Sequence, residues 1–289
     1  MRKAALVAGG AALVLALTAC GGKTDGNGTA APAPGGEQKD AISALFSDPI
    51  QLADAAKAGT EKSKSSKFTM ETAMAGITMK GSGQAEYSGA NSKMAMTMDM
   101  MGMQIEMRLV DKVVYMKMPE ALRAKSGMTK EWAKVSLDDA AASKQAFGAD
   151  FNQLLEQNNP AKTLEQIKDA GTIKKSEKTT LDGQPVNHYS VDLDFEKMKN
   201  NMPSGIPAEA VDQLKGKNLI IPMELFVNAD NLPVKIEMDM GPMMKEIAGD
   251  SPQAKQMGEM KMTMKYTDWG GPVDVQAPPA DQVGDMPKK

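Results

Sequence analysis

The sequence KMAMTMDMMGMQIEMRL, residues 93–109, alternates apolar and polar side chains on both sides of a central Met101-Gly102 pair. A period of two places successive side chains on opposite faces of an extended chain, whereas a helix would scatter them around its circumference. A glycine-containing pair between two such runs suits a tight turn, since glycine accepts backbone angles that other residues avoid. The stretch therefore predicts two strands of an antiparallel sheet, each with one buried and one solvent-exposed face.

The same alternation recurs through most of the chain after residue 66. It predicts eleven strands, at residues 67–75, 77–88, 93–100, 103–110, 113–118, 131–137, 172–180, 185–194, 219–227, 232–240 and 259–268. Helices are predicted at 49–63, within 138–157, after Pro160, and near 195–201, 207–215 and 242–257. The chain thus runs from a meander through helices to a second meander, without a convincing boundary after residue 48. We expect one antiparallel α+β domain over residues 48–289.

The inward apolar positions of these strands far outnumber the large apolar side chains of the predicted helices. Each face of a sheet must be covered by another layer. Either the sheet curls and packs on itself, or a cavity remains between sheet and helices for an apolar ligand. The sequence alone leaves both possibilities open.

The chain contains 26 methionines, and they concentrate on the inward parity of the strands. Three interpretations follow. Methionine is an adaptable core filler, and it also provides a flexible, polarisable lining for a variable ligand. Runs such as residues 94–100 could instead offer thioether sulfur to Cu(I). The copper interpretation has the weakest support, because the chain has one histidine and one cysteine.

Inward parity also predicts which side chains would line a lipid cavity. These candidates are Met70, Met79, Met94, Met96, Met98, Met103, Ile105, Met107, Leu109, Met116, Leu225, Ile236, Met238, Met262 and Met264.

The N-terminus has the layout of a secretory signal. Arg2 and Lys3 precede an uncharged apolar stretch, residues 4–17, which is too short to span a bilayer comfortably. The sequence Leu-Thr-Ala-Cys, residues 17–20, resembles the lipobox of bacterial lipoproteins, in which the cysteine becomes the first mature residue and carries acyl groups such as palmitate. The alternative is an ordinary signal with an incidental thiol. We therefore predict a signal peptide at 1–19 and a lipidated Cys20.

Residues 20–47 are predicted to be that cysteine and a flexible linker, because glycine, proline, alanine and polar residues dominate residues 21–40. Removal of the signal, with its two basic residues, changes the formal net charge from −3 to −5. An acidic chain argues against a nucleic-acid partner. The tether predicts a lipid-anchored monomer at the extracellular face of the cytoplasmic membrane.

Motifs for catalysis are missing from the sequence. It has no Ser-His-Asp order, no glycine-rich phosphate loop and no spaced cluster of metal ligands, and we expect neither an enzyme nor a cofactor or metal site. The single histidine, His188, falls on the polar parity of its strand. It is predicted to be a surface residue.

Three features resemble the LppX/LprA/LprF/LprG group of actinobacterial cell-envelope lipoproteins over residues 48–286. They are the lipobox, the segment LVDKVVY (109–115) leading into Trp132, and the closing YTDWGGPVDVQAP (266–278). The resemblance implies a strongly curved antiparallel half-barrel with helices on its concave face, similar to the LolA/LolB lipoprotein carriers. It also implies a cavity that takes the acyl chains of lipids or glycolipids, without catalytic residues.

The predicted function is therefore that of a membrane-anchored envelope lipoprotein that binds or carries a lipid or glycolipid in an apolar cavity. One alternative is a structural or sensory envelope module whose core is filled by its own side chains. A second is a methionine-based Cu(I)-binding protein.

Overall fold

A computed structural model describes most of the chain after its N-terminal segment. The described residues are 43–74, 76–139, 141, 143, 159–198, 212, 214–248 and 260–286. The described residues all belong to one compact unit, residues 40–289. The predicted signal peptide, Cys20 and most of the linker lie outside the described residues, as do most of the helices predicted within 138–157 and 207–215.

Strands make up most of the described structure. They are β1 (Ser65–Met74), β2 (Ile77–Glu86), β3 (Lys93–Met100), β4 (Met103–Val110), β5 (Val113–Lys117), β6 (Trp132–Ser136), β7 (Gly171–Leu181), β8 (Gln184–Asp194), β9 (Ile220–Val227), β10 (Pro233–Asp239), β11 (Lys261–Thr267) and β12 (Val283–Asp285). The first eleven are the predicted strands, with ends shifted by at most two residues. The alternating pattern is therefore a reliable guide to the extended parts of this chain.

Five α-helices have bounds within the described residues. They are α1 (Pro49–Ser63), α2 (Glu120–Ser126), α3 (Pro160–Ala170), α4 (Phe195–Met198) and α5 (Gly241–Ala248). Four of them occur where the sequence predicts helix. The sequence does not predict α2, because this short helix has no buried residue and hence no apolar stripe to reveal it.

All twelve strands form one sheet in the order β12-β6-β5-β4-β3-β2-β1-β11-β10-β9-β8-β7. Neighbours are antiparallel except β12 and β6, which are parallel. The sheet begins at β12 and ends at β7, so it does not close into a barrel. The predicted curved antiparallel half-barrel, with helices on its concave face, is confirmed.

Two-residue turns connect several neighbouring strands. Met101-Gly102 has positive φ values of 55° and 80°, and Asp111-Lys112 and Asp182-Gly183 are similar. Positive φ at both central residues is typical of the tight hairpins whose twist matches that of the strands. The first of them, Met101-Gly102, is the tight turn predicted from the glycine-containing pair.

The pairing of β1 with β11 joins the two meanders. We call β1–β6 the first arm, β7–β11 the second arm, and the β1–β11 pairing the seam. At the seam, Phe68 lies opposite Tyr266 and Met70 lies opposite Met264. These four side chains share the concave face of the sheet, which we call the inner face.

Helices cover the inner face of the second arm. Leu52 of α1 and Leu164 and Ile167 of α3 are fully buried, as are Tyr189 and Leu225 beneath them. Helix α1 begins at Asp48, whose Oδ1 accepts hydrogen bonds from the backbone of Ile50 and Gln51, as expected of an N-cap. The second arm therefore fills its own core.

The C-terminal segment, residues 268–286, crosses the opposite, outer face of the first arm. Gln84 Nε2 donates to the carbonyl of Asp274 at 2.7 Å, and Arg108 Nη1 donates to that of Gln276 at 3.2 Å. The Arg108 guanidinium lies 4.7 Å from the Trp132 ring centroid, and this tryptophan is buried. The segment ends in β12, which pairs with the edge strand β6 and is too short for its sequence to predict it.

Candidate functional site

Two glycines leave the inner face of the first arm without side chains at two positions of β2. Gly81 and Gly83 occupy successive inward positions of β2, opposite Met70 and Phe68 of β1. A Cβ atom on Gly83 would lie 2.6 Å from Cζ of Phe68, so the phenyl ring occupies the space that the missing side chain leaves. The Phe68 ring therefore lies over β2, where an inward side chain would otherwise stand.

A cavity of about 560 Å³ lies over this part of the sheet. Its apolar wall consists of Phe68, Met70, Ala85, Met94, Met96, Leu109, Leu137, Met264 and Tyr266. These residues come from β1, β2, β3, β4 and β11 and from the segment after β6. The volume lies within the range of small-molecule sites, about 300–1,000 Å³. The site is thus an apolar hollow centred on the seam and the first arm.

One end of the cavity is polar. Lys93, Lys112 and Lys162 line it together with Glu86 and Asp138. The residues come from the start of β3, the β4–β5 turn, the first turn of α3, the end of β2 and the segment after β6. An apolar body with a charged end is the arrangement that suits an amphiphile.

Two tyrosine hydroxyls lie along the same wall. The Tyr87 hydroxyl is 2.9 Å from Ser66 Oγ, and burial raises the pKa of Tyr87 to about 12. The Tyr266 hydroxyl donates to Met264 Sδ at 3.6 Å, and burial also raises the pKa of Tyr266. Both groups are therefore neutral donors at physiological pH. A thioether is a weak acceptor, so the Tyr266 hydroxyl has capacity for a better one.

Two shallower depressions, of about 690 and 360 Å³, lie on the outer face. Polar side chains of the outer parity, Lys67, Thr69, Ser82 and Thr97 among them, contribute to their walls. They open more broadly to solvent than the inner cavity does, so they would shield less of a ligand from water. The inner cavity is the better candidate for a ligand that must leave water.

The structure distributes the fifteen predicted lining residues over four places. Five of them line the cavity: Met70, Met94, Met96, Leu109 and Met264. Leu225, Ile236 and Met238 belong to the core of the second arm, and Met262 packs against that core. Met107 and Met116 lie in a smaller cluster beside Leu109. Met79, Met98 and Ile105 are half-buried and Met103 is exposed, nearer the opposite end of the first arm.

The sequence did not single out the other lining residues. Phe68 and Tyr266 occupy inward positions of their strands, and the same alternation could have identified them as lining residues. Lys93, Lys112 and Lys162 come from distant parts of the chain, and only the folded sheet brings them to one end of the cavity.

His188 lies on the outer face, as its parity predicts. Its ring stacks on Phe226, with 4.3 Å between centroids. Its Nδ1 is 3.2 Å from Glu177 Oε1, and its Nε2 is 2.5 Å from Glu224 Oε2. Within the described residues, no group of three or more histidine, cysteine, aspartate and glutamate side chains is placed to hold a metal ion. The methionine-based copper interpretation stays a prediction.

Of the helices in the described ranges, none combines the length and apolar character that crossing a membrane requires. No protein-family model matches the sequence, and no curated protein matches it.

Similar solved structures exist at low sequence identity. LprF from Mycobacterium bovis is 12% identical over 80% of this chain and 96% of its own, with a TM-score of 0.48. It is a member of the group that the sequence resembles. MucB is 14% identical over 79% of this chain and 63% of its own, with a TM-score of 0.32. A DUF1329 family protein from Desulfovibrio piger is 8% identical over 76% of this chain and 92% of its own, with a TM-score of 0.25.

Proposed function

We propose that this protein is a membrane-anchored, non-enzymatic lipoprotein of the cell envelope that binds or carries a lipid or glycolipid. The observation that carries the proposal is the 560 Å³ cavity beside the seam. Its wall is built from methionine, phenylalanine, leucine and tyrosine side chains, and its one charged end is suited to a polar headgroup. The ligand would place an acyl chain on the wall and its headgroup at that end.

Binding would be driven by removal of the acyl chain from water, at about 0.8 kcal/mol per buried CH₂. The wall suits chains of differing shape, because Met70, Met94, Met96 and Met264 are unbranched and adopt many conformations. The Tyr266 hydroxyl could donate to a carbonyl oxygen of the ligand in place of Met264 Sδ. Methionine here would therefore act as a lining rather than as a metal ligand.

The anchor in this proposal is Cys20, on the strength of its lipobox-like context. Two or more acyl chains on that residue would hold the protein firmly on the extracellular face of the membrane, whereas one chain binds only marginally. The cavity would then stay close to a bilayer that supplies its ligand. A self-filled structural or sensory module is the competing function, and it requires that no amphiphile enters the cavity.

The test uses the full chain, made in a bacterium that processes lipoproteins and extracted with mild detergent. Native mass spectrometry should find one or more lipids bound to the wild-type protein, and the protein mass should include acyl groups on Cys20. In Met96→Trp the larger side chain should fill the cavity and remove the bound lipid. Thr97→Trp places the same bulk one residue further, on the outer face, and should retain it.

Thermal unfolding of both variants checks that they are folded, since overpacking can cost about 1–3 kcal/mol. If Met96→Trp does not fold, Met94→Phe is the milder filling variant. A wild-type protein that carries no lipid and binds no alkyl-chain probe after delipidation would overturn the proposed function.

A further inference from the structure

Lysines outnumber carboxylates among the side chains that line the charged end of the cavity. Three lysines, Lys93, Lys112 and Lys162, line it against two carboxylates, Glu86 and Asp138. The protein as a whole is acidic, with a formal net charge of −3. A local excess of lysine at the entrance to an apolar cavity therefore runs against the overall charge of the chain.

The three lysines differ in their pairing. Lys112 Nζ is 3.7 Å from Asp138 Oδ1, and Lys162 Nζ is 2.8 Å from Glu165 Oε2. Lys93 forms no ion pair or side-chain hydrogen bond with any residue in the described part of the chain, although Glu86 is its cross-strand neighbour. Its side chain is half-buried. Lys93 is thus the lysine with the most capacity to meet an incoming anion.

The backbone around the lysines is well defined. Lys93 is the first residue of β3 and has the parity of the outer face, so it borders the cavity at the rim of the sheet. Lys112 lies in the β4–β5 turn with φ of 60°, and its carbonyl accepts a hydrogen bond from the backbone of Leu137 at 2.8 Å. Leu137 itself lines the cavity. The positive charges are therefore held at the ends of strands whose other residues form the apolar wall.

We infer that the cavity selects an amphiphile with an anionic headgroup, a carboxylate or a phosphate, which Lys93 and Lys112 contact while the acyl chain lies on the Phe68, Met94 and Met96 wall. This inference rests on the proposed function and adds the class of ligand. Charge discriminates between ligands because the lysines attract a headgroup of opposite charge and repel one of the same charge. A neutral chain of the same length gains the apolar contacts alone.

The test measures displacement of a fluorescent alkyl probe from the delipidated full chain. The competitors are tetradecanoate, tetradecanol and tetradecyltrimethylammonium, which share a chain length and differ in headgroup charge. Tetradecanoate should bind about tenfold more tightly than tetradecanol, and the cation should bind most weakly. Raising the salt concentration should narrow these differences, because partly exposed charges are screened.

The variant Lys93→Gln should remove most of the preference for tetradecanoate over tetradecanol. Lys93→Arg should keep the preference, since it keeps the charge. The matched control is Lys125→Gln, which neutralises an exposed lysine of α2 away from the cavity and should leave all three affinities as they are.

The outcomes separate the two proposals. If all three amphiphiles bind equally and Lys93→Gln changes nothing, the headgroup inference is overturned and the lipid-binding function stands. If none of the three amphiphiles binds, both the proposed function and the headgroup inference are overturned. Inorganic phosphate is the last competitor. If phosphate alone displaces the probe at the concentration used for the amphiphiles, the site binds anions without an acyl chain. That result also overturns the inference.

Discussion

Met223 and Leu225 of the second arm are sealed under helices, whereas Met96 and Met98 of the first arm are only half-buried. All four residues hold inward positions in strands of one sheet, and all four come from the same alternating pattern. Alternation determines which face a side chain joins. What covers that face depends on helices elsewhere in the chain.

The cover of the second arm comes from α1 and α3, which also bind each other. Lys57 of α1 and Glu165 of α3 form an ion pair at 3.0 Å, and Asp54 and Lys168 form another at 2.8 Å. Exposed pairs of this kind contribute little stability, so the buried residues Leu52, Leu164 and Ile167 account for most of the packing. The seam separates this closed arm from the arm that holds the cavity.

A pair of identical substitutions tests the difference most directly. Met223→Ala removes a side chain that is 1% exposed and should cost about 2–5 kcal/mol of unfolding free energy, because a cavity is left behind. Met98→Ala removes a half-buried side chain and should cost about 1 kcal/mol. Urea unfolding of the two variants measures both losses. Equal losses would show that the first arm is as tightly packed as the second.

Alkaline pH tests the boundary between the arms. Burial holds the pKa of Tyr87 at about 12, above its ordinary value of 10. The fold favours the protonated form, so its stabilisation is complete below pH 10 and is lost as the pH rises through about 12. The loss should reach about 3 kcal/mol. Tyr87→Phe should flatten the dependence of unfolding free energy on pH between these values, and the phenolate absorbance of the wild type should show the late ionisation.

Tyr189 of the second arm is the comparison residue. Burial raises its pKa as well, against the effect of a hydrogen bond that its hydroxyl accepts from the backbone of Phe46. Tyr189→Phe should flatten the profile less than Tyr87→Phe. The opposite ranking would mean that the wall of the cavity is wetter than the structure indicates.

The two glycines of β2 offer a comparison within one strand. A Cβ on Gly83 would lie 2.4 Å from the carbonyl oxygen of Ala95, so Gly83→Ala should cost about 1–3 kcal/mol and displace Phe68 from the cavity wall. The nearest atom to a Cβ on Gly81 is Met70 Cε, at an ordinary 3.4 Å. Gly81→Ala should be neutral or slightly stabilising. Thermal unfolding and displacement of the alkyl probe measure both variants, and equal behaviour would contradict a special role for Gly83.

The sequence predicts the strands well because alternation is a local property. It places Met94 and Met96 correctly on the inner face, and it places His188 correctly on the outer face. It misses β12, since Val283–Asp285 is a strand only because the edge of β6 is available to pair with it. The parallel pairing there has no counterpart in a pattern of single residues.

The candidate site is less predictable than the fold. Met94 and Met238 have the same parity and the same chemistry, yet one lines the cavity and the other is buried in the core. The difference is the helical cover over the second arm, which no periodicity reports. The lysines at the cavity end are even harder to predict from the sequence. Lys93, Lys112 and Lys162 come from distant segments, which only the folded topology brings to one cavity.

The seam also sets when the cavity can exist during folding. Phe68 and Tyr266 face each other across it, about 200 residues apart in the chain, and contacts between such distant segments form slowly. The first meander can assemble from neighbouring hairpins as it is synthesised, but two of the nine apolar wall residues, Met264 and Tyr266, arrive only with β11. A chain interrupted before β11 would therefore lack the pairing that joins the two arms, so the complete cavity requires nearly the whole polypeptide.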